Sequence, residues 1–228
     1  MSEIITALKL ESASLAAQFG GRRDFADCHF RDCDWTECDL RHLVFTGASF
    51  ENCTLTRCDL EGADLEEAIW KRVRAAETKL AACNAIDMQL TDCNLALTDW
   101  TRSRLSSSLF TNCKLTGANF KEVGATALSF QACRLNGAFL QNLSFRKLRL
   151  EDLDFADADL GGADFQDAVF IRCSLRGAAL RKARFAGADL RGCDIGDVAL
   201  ADIAPFRKAI ISQDQAAALL KDVGLVVI

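Results

Sequence analysis

The sequence predicts an all-β solenoid that ends in a short helix and a short strand. Three observations predict it: a strict five-residue repeat, a lone proline (Pro205) that follows the repeat, and a C-terminal tail with a helical apolar pattern. An apolar residue stands at every fifth position from Phe25 to Leu200, which gives 36 units without a slip in register. Helices repeat at about 3.6 residues and strands at about 2. A period of five therefore indicates units that bury their apolar residue by stacking on their neighbours.

The repeat divides the chain into three parts. Residues 1–21 form an N-terminal lead or cap, residues 22–203 form the repeats, and residues 204–228 form a C-terminal segment. The lead has neither a basic start nor a long apolar run, so we expect no signal peptide and no membrane span. The expected protein is soluble and cytoplasmic. Leu10 and Leu15 extend the period of five into the lead, as a cap coil would.

Charge and residue pattern limit the possible functions. The formal net charge is −5, whereas direct nucleic-acid binding relies on Lys and Arg that neutralise phosphates. We therefore expect no direct contact with nucleic acid. No nucleophile, base and orienting group recur in a shared position, so we expect neither an enzyme nor a small-molecule substrate or cofactor.

Each unit has the pattern A/C-D/N-L/F-X-X, in which the third residue is the buried centre. A small residue stands two positions before the centre, and Asp or Asn often stands one position before it. The segments that match most closely are GADLE (62–66), GANFK (117–121), DADLG (157–161), GADFQ (162–166) and GADLR (187–191). This pattern resembles that of the pentapeptide-repeat family over about residues 22 to 203.

The resemblance implies the geometry of the solenoid. In that family each pentapeptide forms one side of a square coil and four make a turn, which gives a right-handed quadrilateral β-helix of about nine coils here. Residues twenty apart should then stack in columns. The weakest units lie at 71–75, 81–85 and 122–126, where the centre falls to alanine. At 71–88 either a narrowed coil or a projecting loop of whole pentapeptides is compatible with the register.

The cysteines and histidines have structural interpretations. All eleven cysteines occupy the small position two before a centre, and no closely spaced pair suited to zinc occurs. We therefore expect buried free thiols that pack as small apolar groups, and no metal site. His29 and His42 have no nucleophile arranged around them, which favours a surface role.

Acidic residues cluster along the chain. The stretch 151–170 has seven acidic residues and no basic one, but its aspartates precede successive centres and should face different sides of a coil. Hydrogen bonds to turn backbone are expected of them rather than calcium binding. Collectively, the acidic surface is either solvated or an electrostatic imitation of duplex DNA. Its predicted residues are Asp24, Asp34, Asp39, Asp59, Asp64, Glu66, Asp154, Asp157, Asp159, Asp164 and Asp167.

The C-terminal tail predicts a helix near 213–222 and a final strand. Ser212 and Gln215 have the spacing of a capping box, and Gly224 can end the helix. The helix has one apolar face, and an exposed strand at 225–228 would favour aggregation unless a symmetric partner covers it. The predicted homodimer interface is Ala216, Leu219, Leu220, Val223, Leu225, Val227 and Ile228.

The tail QAAALLKDVGLVVI is similar to that of the Qnr-type quinolone-resistance proteins and related gyrase-interacting pentapeptide-repeat proteins. That resemblance implies a dimer that binds DNA gyrase or topoisomerase IV and protects it from quinolones or another poison. Many Qnr proteins have loops that break the repeat, and none breaks it here. A scaffold that binds an unrelated protein is the alternative, with contacts through the outward apolar residues Val44, Ile69, Leu109, Phe139 and Val169.

Overall fold

The computed structural model describes residues 3–11, 14–196, 198, 202–222, 224 and 225. The chain forms two units, residues 1–134 and residues 135–228. Both are built from short parallel strands, and each strand pairs with the strand one turn later along the chain. We treat the two units in turn.

The described part of the first unit contains nine strands and a short N-terminal helix. Seven of the strands form one parallel sheet in the order β1-β3-β5-β6-β7-β8-β9, and β2 pairs with β4. The elements are β1 (Ile4–Thr6), β2 (Lys9–Glu11), α1 (Leu15–Gln18), β3 (His29–Arg31), β4 (Asp34–Thr36), β5 (Ser49–Glu51), β6 (Ile69–Lys71), β7 (Gln89–Thr91), β8 (Leu109–Thr111) and β9 (Ser129–Gln131).

The pairing register gives the four-sided coil. Phe50 pairs with Trp70 and Trp70 with Leu90, and single bridges join residues twenty apart on the other three sides, as between Asp39 and Asp59. Four five-residue sides therefore make one turn. The two units together hold about eight turns. The fold class is confirmed as a quadrilateral β-helix, and the last of the nine predicted coils runs into residues outside the described part of the chain.

The N-terminal lead continues the coil. β1 pairs with β3 and β2 pairs with β4, so that Ile5 lies opposite Phe30 and Leu10 opposite Trp35. Here the offset is 25 residues rather than twenty, because α1 and the turn at Gly20 and Gly21 lengthen the connection by one pentapeptide. β1 and β2 thus cover two sides of the first complete coil through parallel strand pairing.

The centre residues form the core. Every described centre from Phe25 to Ile195 is buried except Ala125 and Leu180, which are half-buried. Aromatic centres stack along a side: the ring centroids of Phe30 and Phe50 lie 4.8 Å apart. Apolar burial and these ring contacts are the main stabilising contributions that the sequence provides.

The corners use left-handed backbone two residues after nearly every centre, for example at Glu67 (φ 58°) and at Gly62 (φ 65°). At Gly62 the ring of His42, from the preceding turn, occupies the space that a side chain would need: a Cβ there would lie 2.5 Å from Nδ1. Glycine is thus required at this corner because a side chain packs over it. The contact also gives His42 a packing role.

Residues 71–88 form an ordinary coil. Ile69 to Lys71 pair in register with Gln89 to Thr91, and Ala75 and Ala85 are fully buried. Of the two alternatives that the sequence left open, the structure has the coil without a projecting loop.

Among its described residues, the second unit contains three strands and the C-terminal helix. Its sheet has the order β10-β11-β12, with a register irregularity between β11 and β12. A 3-10 helix at Ala204–Phe206 precedes the α-helix, whose bounds match the predicted 213–222. The elements are β10 (Arg149–Glu151), β11 (Val169–Ser174), β12 (Asp189–Asp194) and α2 (Gln213–Asp222).

Two buried tryptophans provide a matched test of hydrogen bonding in the core. The indole N–H of Trp100 donates to the hydroxyl of Thr98 at 2.9 Å, whereas the indole N–H of Trp70 is buried without a partner. Both rings are fully buried, so Trp→Phe removes similar apolar volume at each site. We expect Trp100→Phe to lower the free energy of unfolding by about 1 kcal/mol more than Trp70→Phe. Urea denaturation of the two variants measures this, and equal losses would contradict it.

Candidate functional site

The small inward slot is a hydrogen-bond position. Seven of its cysteine thiols donate to the carbonyl oxygen 23 residues earlier in the chain, as Cys53 does to Phe30 and Cys83 to Leu60. Thr78 and Ser108 occupy the same slot, and their hydroxyls donate to equivalent carbonyls. The slot therefore accepts a small side chain with one donor at these positions, whereas elsewhere it holds an apolar residue such as Ala63 or Leu43.

The thiols have the environment of structural groups. All eleven cysteines are buried and free. Burial raises the pKa of the Cys83 thiol to about 12, which keeps its proton on sulfur for the hydrogen bond. Within the described residues, no group of three or more His, Cys, Asp and Glu side chains is arranged to hold a metal ion.

His29 lies on the outer surface of β3. Its Nδ1 is 2.6 Å from the hydroxyl of Ser49, one turn later. The two side chains stand on the outside of a sheet and line no described cavity. The pair therefore stabilises neighbouring turns.

The predicted acidic residues are spread over three sides of the coil in each unit. In the first unit, Asp34 lies on the side of Trp35, Asp39 and Asp59 lie on the side of Leu40 and Leu60, and Asp24, Asp64 and Glu66 lie on the side of Phe25 and Leu65. In the second unit, Asp154 and Asp157 lie on the side of Phe155, Asp159 lies on the side of Leu160, and Asp164 and Asp167 lie on the side of Phe165.

Many of these carboxylates accept a hydrogen bond from the backbone of their own turn. The side-chain oxygen accepts the backbone N–H two residues later, at 2.9 Å for Asp24 and 3.0 Å for Asp164. The same bond forms at Asp39, Asp59, Asp64, Asp154 and Asp159. The expectation that aspartates hydrogen-bond turn backbone is confirmed at these positions.

Arginine and lysine neutralise several of them. The Arg41 guanidinium lies 2.8 Å from the Asp39 carboxylate and lowers the pKa of that carboxyl to about 2. Asp59 faces Lys79 at 3.7 Å. In the second unit, Asp164 pairs with Arg184 and Asp167 with Arg146. These positions therefore contribute little net potential.

One side of the first unit keeps its negative charge. Six carboxylates on the side of Phe25, or at its corner, form no ion pair among the described residues. Among the described residues, the cations on this side are Arg23, Arg104 and Arg22, of which Arg22 lies over the Phe25 ring and pairs with Glu3. We call this surface the acidic face, and it consists of Asp24, Asp27, Asp64, Glu66, Glu67 and Asp87.

Three residues of the acidic face, Asp27, Glu67 and Asp87, were not among the predicted site residues. All three are exposed corner residues two positions after a centre. Their chain positions differ by multiples of twenty, which is the signal that would have grouped them. Acidic residues that are close in the sequence are mostly not neighbours on the surface, because successive pentapeptides lie on different sides of the coil.

The C-terminal helix closes the end of the second unit. The predicted capping box is confirmed: the backbone N–H of Gln215 donates to the Ser212 hydroxyl at 3.1 Å, and Gln215 Oε1 accepts the Ser212 N–H at 2.7 Å. The Nε2 group of Gln215 also donates to the carbonyls of Leu190, at 2.9 Å, and Cys193, at 2.7 Å. One side chain thus caps both the helix and the final strand.

The predicted dimer residues are only partly available to a partner. Leu219 is buried in its own unit and Ala216 is half-buried, whereas Leu220 and Leu225 are 36% and 55% exposed. Ile210, which was not predicted, is 49% exposed. The predicted interface residues Val223, Val227 and Ile228 lie outside the described residues.

We expect Gln215→Ala to lower the free energy of unfolding by about 2 kcal/mol, because it leaves the carbonyls of Leu190 and Cys193 without their donor. Gln213→Ala, an exposed change in the same helix, is the control and should stay within about 0.5 kcal/mol of wild type. Chemical denaturation followed by circular dichroism measures both. Equal stability of the two variants would contradict the capping role.

The parallel four-sided coil, its inward donor slot and its capped C-terminal end define a right-handed quadrilateral β-helix protein. The family model described as "Pentapeptide repeat region" matches residues 45–120, 63–140 and 103–179, and "Pentapeptide repeats (8 copies)" matches residues 24–62. The chain belongs to the pentapeptide-repeat family. The comparison with curated proteins finds no match.

Solved structures share the fold. A trypsin-treated variant of QnrB1, a plasmid-mediated fluoroquinolone resistance protein, aligns with 99% of this chain and 100% of its own, at 19% identity and a TM-score of 0.65. Full-length QnrB1 aligns over 97% and 100%, at 16% identity and a TM-score of 0.57. HetL, a pentapeptide repeat protein involved in heterocyst differentiation regulation in the cyanobacterium Nostoc sp., aligns over 91% and 86%, at 23% identity and a TM-score of 0.53.

No helix in the described part of the chain has the length and hydropathy that a membrane span requires.

Proposed function

We propose that this protein binds DNA gyrase or topoisomerase IV in the cytoplasm, without catalysis of its own, and occupies a site that otherwise holds DNA. The observation that carries the proposal is the acidic face, where six carboxylates remain without ion pairs. A groove that holds DNA is lined by cations, so an unneutralised acidic surface is complementary to it.

The fold similarity to QnrB1 supports the proposal, since QnrB1 is described as a fluoroquinolone resistance protein. By competing for the DNA site, the protein would reduce the number of cleavage complexes that a quinolone or another poison stabilises. Protection against such a poison follows from that competition.

We propose further that the protein acts as a homodimer joined through its C-terminal segment. The exposed apolar side chains of Ile210, Leu220 and Leu225 support this, because the segment places three of them on the surface of the second unit. A symmetric interface would bury the same apolar patch on both copies.

Supercoiling and DNA-cleavage assays with purified gyrase, with and without a quinolone, test the function. We expect added protein to inhibit supercoiling in the absence of drug, and to reduce drug-stabilised cleavage in its presence. If neither activity changes at any protein concentration, topoisomerase binding is wrong.

The second candidate is an adaptor that binds an unrelated protein. The outward apolar residues favour it, since Ile69 is 46% exposed and both Phe139 and Val169 are 39% exposed. HetL, which has this fold, is described as involved in the regulation of differentiation. Affinity capture from a lysate separates the candidates: recovery of a type II topoisomerase supports the first, and reproducible recovery of another protein in its place supports the second.

A further inference from the structure

A sheet surface without charge adjoins the acidic face in the first unit. We call it the uncharged face. It consists of the outward side chains of β7, β8 and β9, which are Gln89, Thr91, Leu109, Thr111, Ser129 and Gln131. Charged residues make up 26% of the chain, and the equivalent positions on β3, β5 and β6 include Arg31, Glu51 and Lys71. On this side of the coil, the outward side chains are therefore uncharged on β7, β8 and β9, whereas β3, β5 and β6 also have charged ones.

The uncharged face continues a row in which apolar and polar side chains alternate. Ile69, Gln89, Leu109 and Ser129 are aligned on consecutive parallel strands. Ile69 is 46% exposed and Leu109 is half-buried. The centre of a protein interface is depleted in charged residues, and its rim is polar. The row and its uncharged neighbours share the depletion of charge of such a centre, and Ile69 and Leu109 supply its apolar contacts.

The rim on one edge is acidic. Glu67 and Asp87 precede Ile69 and Gln89 by two residues, are exposed, and belong to the acidic face. Neither forms an ion pair among the described residues. The row that contains Ile69 and Leu109 therefore runs beside two carboxylates without ion pairs.

We propose that the uncharged face, together with Ile69 and the carboxylates of Glu67 and Asp87, is the surface on which the topoisomerase docks. This inference rests on the function proposed above. The occupant is a protein surface with apolar side chains bordered by Lys or Arg. Charge complementarity selects it, because the carboxylates of Glu67 and Asp87 repel duplex DNA and attract Lys or Arg on a partner protein.

Binding then has two components of different physical origin. Contacts of Ile69 and Leu109 remove apolar area from water and depend little on salt. Contacts of Glu67 and Asp87 with cations are screened as the ionic strength rises. The two pairs of residues can therefore be tested separately.

The test is a fluorescence titration of labelled full-length protein with purified gyrase at low and high salt. We expect Ile69→Ser with Leu109→Ser to raise Kd about tenfold at both salt concentrations. Glu67→Gln with Asp87→Asn should raise Kd at low salt and flatten its salt dependence. Val169→Ser, on an exposed apolar residue of β11 in the second unit, is the control and should bind as wild type does.

Circular dichroism melting of each variant establishes that it folds, which is expected because the changed side chains lie on the outside of the sheet. If wild type binds gyrase and the Ile69/Leu109 variant binds equally well, the docking surface is wrong and the proposed function stands. If wild type binds no gyrase, the proposed function fails and this surface fails with it. Tight binding of the wild type to duplex DNA instead of gyrase would also overturn the assignment.

Discussion

Phe165→Ala is expected to lower the free energy of unfolding by about 3–5 kcal/mol, because the truncation leaves a cavity inside a stack of rings. The Phe165 ring is fully buried, and its centroid lies 4.8 Å from the centroids of both Phe145 and Phe185, in stacked geometry. Neighbouring backbone is held in parallel ladders and has little freedom to fill the space. Chemical denaturation of the full chain, monitored by far-ultraviolet circular dichroism, measures the loss.

Val169→Ala is the control for this change. Its side chain lies four residues further along the same unit but points outward and is 39% exposed, so the expected loss is about 0.5 kcal/mol. A loss at Phe165 no greater than that at Val169 would mean that the centre column contributes little to stability. The stacked-core account would then be wrong.

The triple variant Asp27→Asn, Glu67→Gln and Asp87→Asn, which neutralises the corner of the acidic face, is expected to weaken gyrase binding about ten- to hundredfold. Each lost contact with a cation contributes about 0.5–1 kcal/mol. The substitutions keep the size and shape of the side chains, which matters at Asp27 because its carboxylate packs over Gly47. Titration of the variant with purified gyrase at low salt measures the change.

The matched control removes three negative charges from carboxylates that are already paired: Asp39→Asn, Glu151→Gln and Asp152→Asn. Arg41 neutralises Asp39, and Arg172 contacts both Glu151 and Asp152. Because the two variants have the same net charge, a difference between them reports the location of the charge. Equal weakening would show that only the net charge of the protein matters, which would contradict a specific acidic face.

Most of the fold could be predicted from the sequence, because the five-residue repeat determines both which side chains point inward and how successive turns stack. The buried position of Phe165 and the inward slot of Cys53 follow from their place in the five-residue period. The capping box of Ser212 and Gln215 could also be predicted, since its partners are three residues apart. Such contacts are fixed by short spacing.

The candidate surface was harder to predict, because its neighbours are a full turn apart. Asp34 and Asp39 are close in sequence yet lie on different sides of the coil, whereas Glu67 and Asp87 share one corner. The bonds from Gln215 to the carbonyls of Leu190 and Cys193 join parts of the chain with no shared pattern. Contacts of this kind can be identified only in the folded structure.

Competition with DNA tests the central claim most directly. A complex of gyrase with the labelled protein is titrated with linear duplex DNA, and the bound protein is followed by fluorescence anisotropy. If the acidic face occupies the DNA site, the duplex displaces the protein to the extent that its affinity for gyrase predicts. No complex then contains gyrase, duplex and protein together. A stable complex of gyrase, duplex and protein, with each bound as tightly as alone, would contradict the claim.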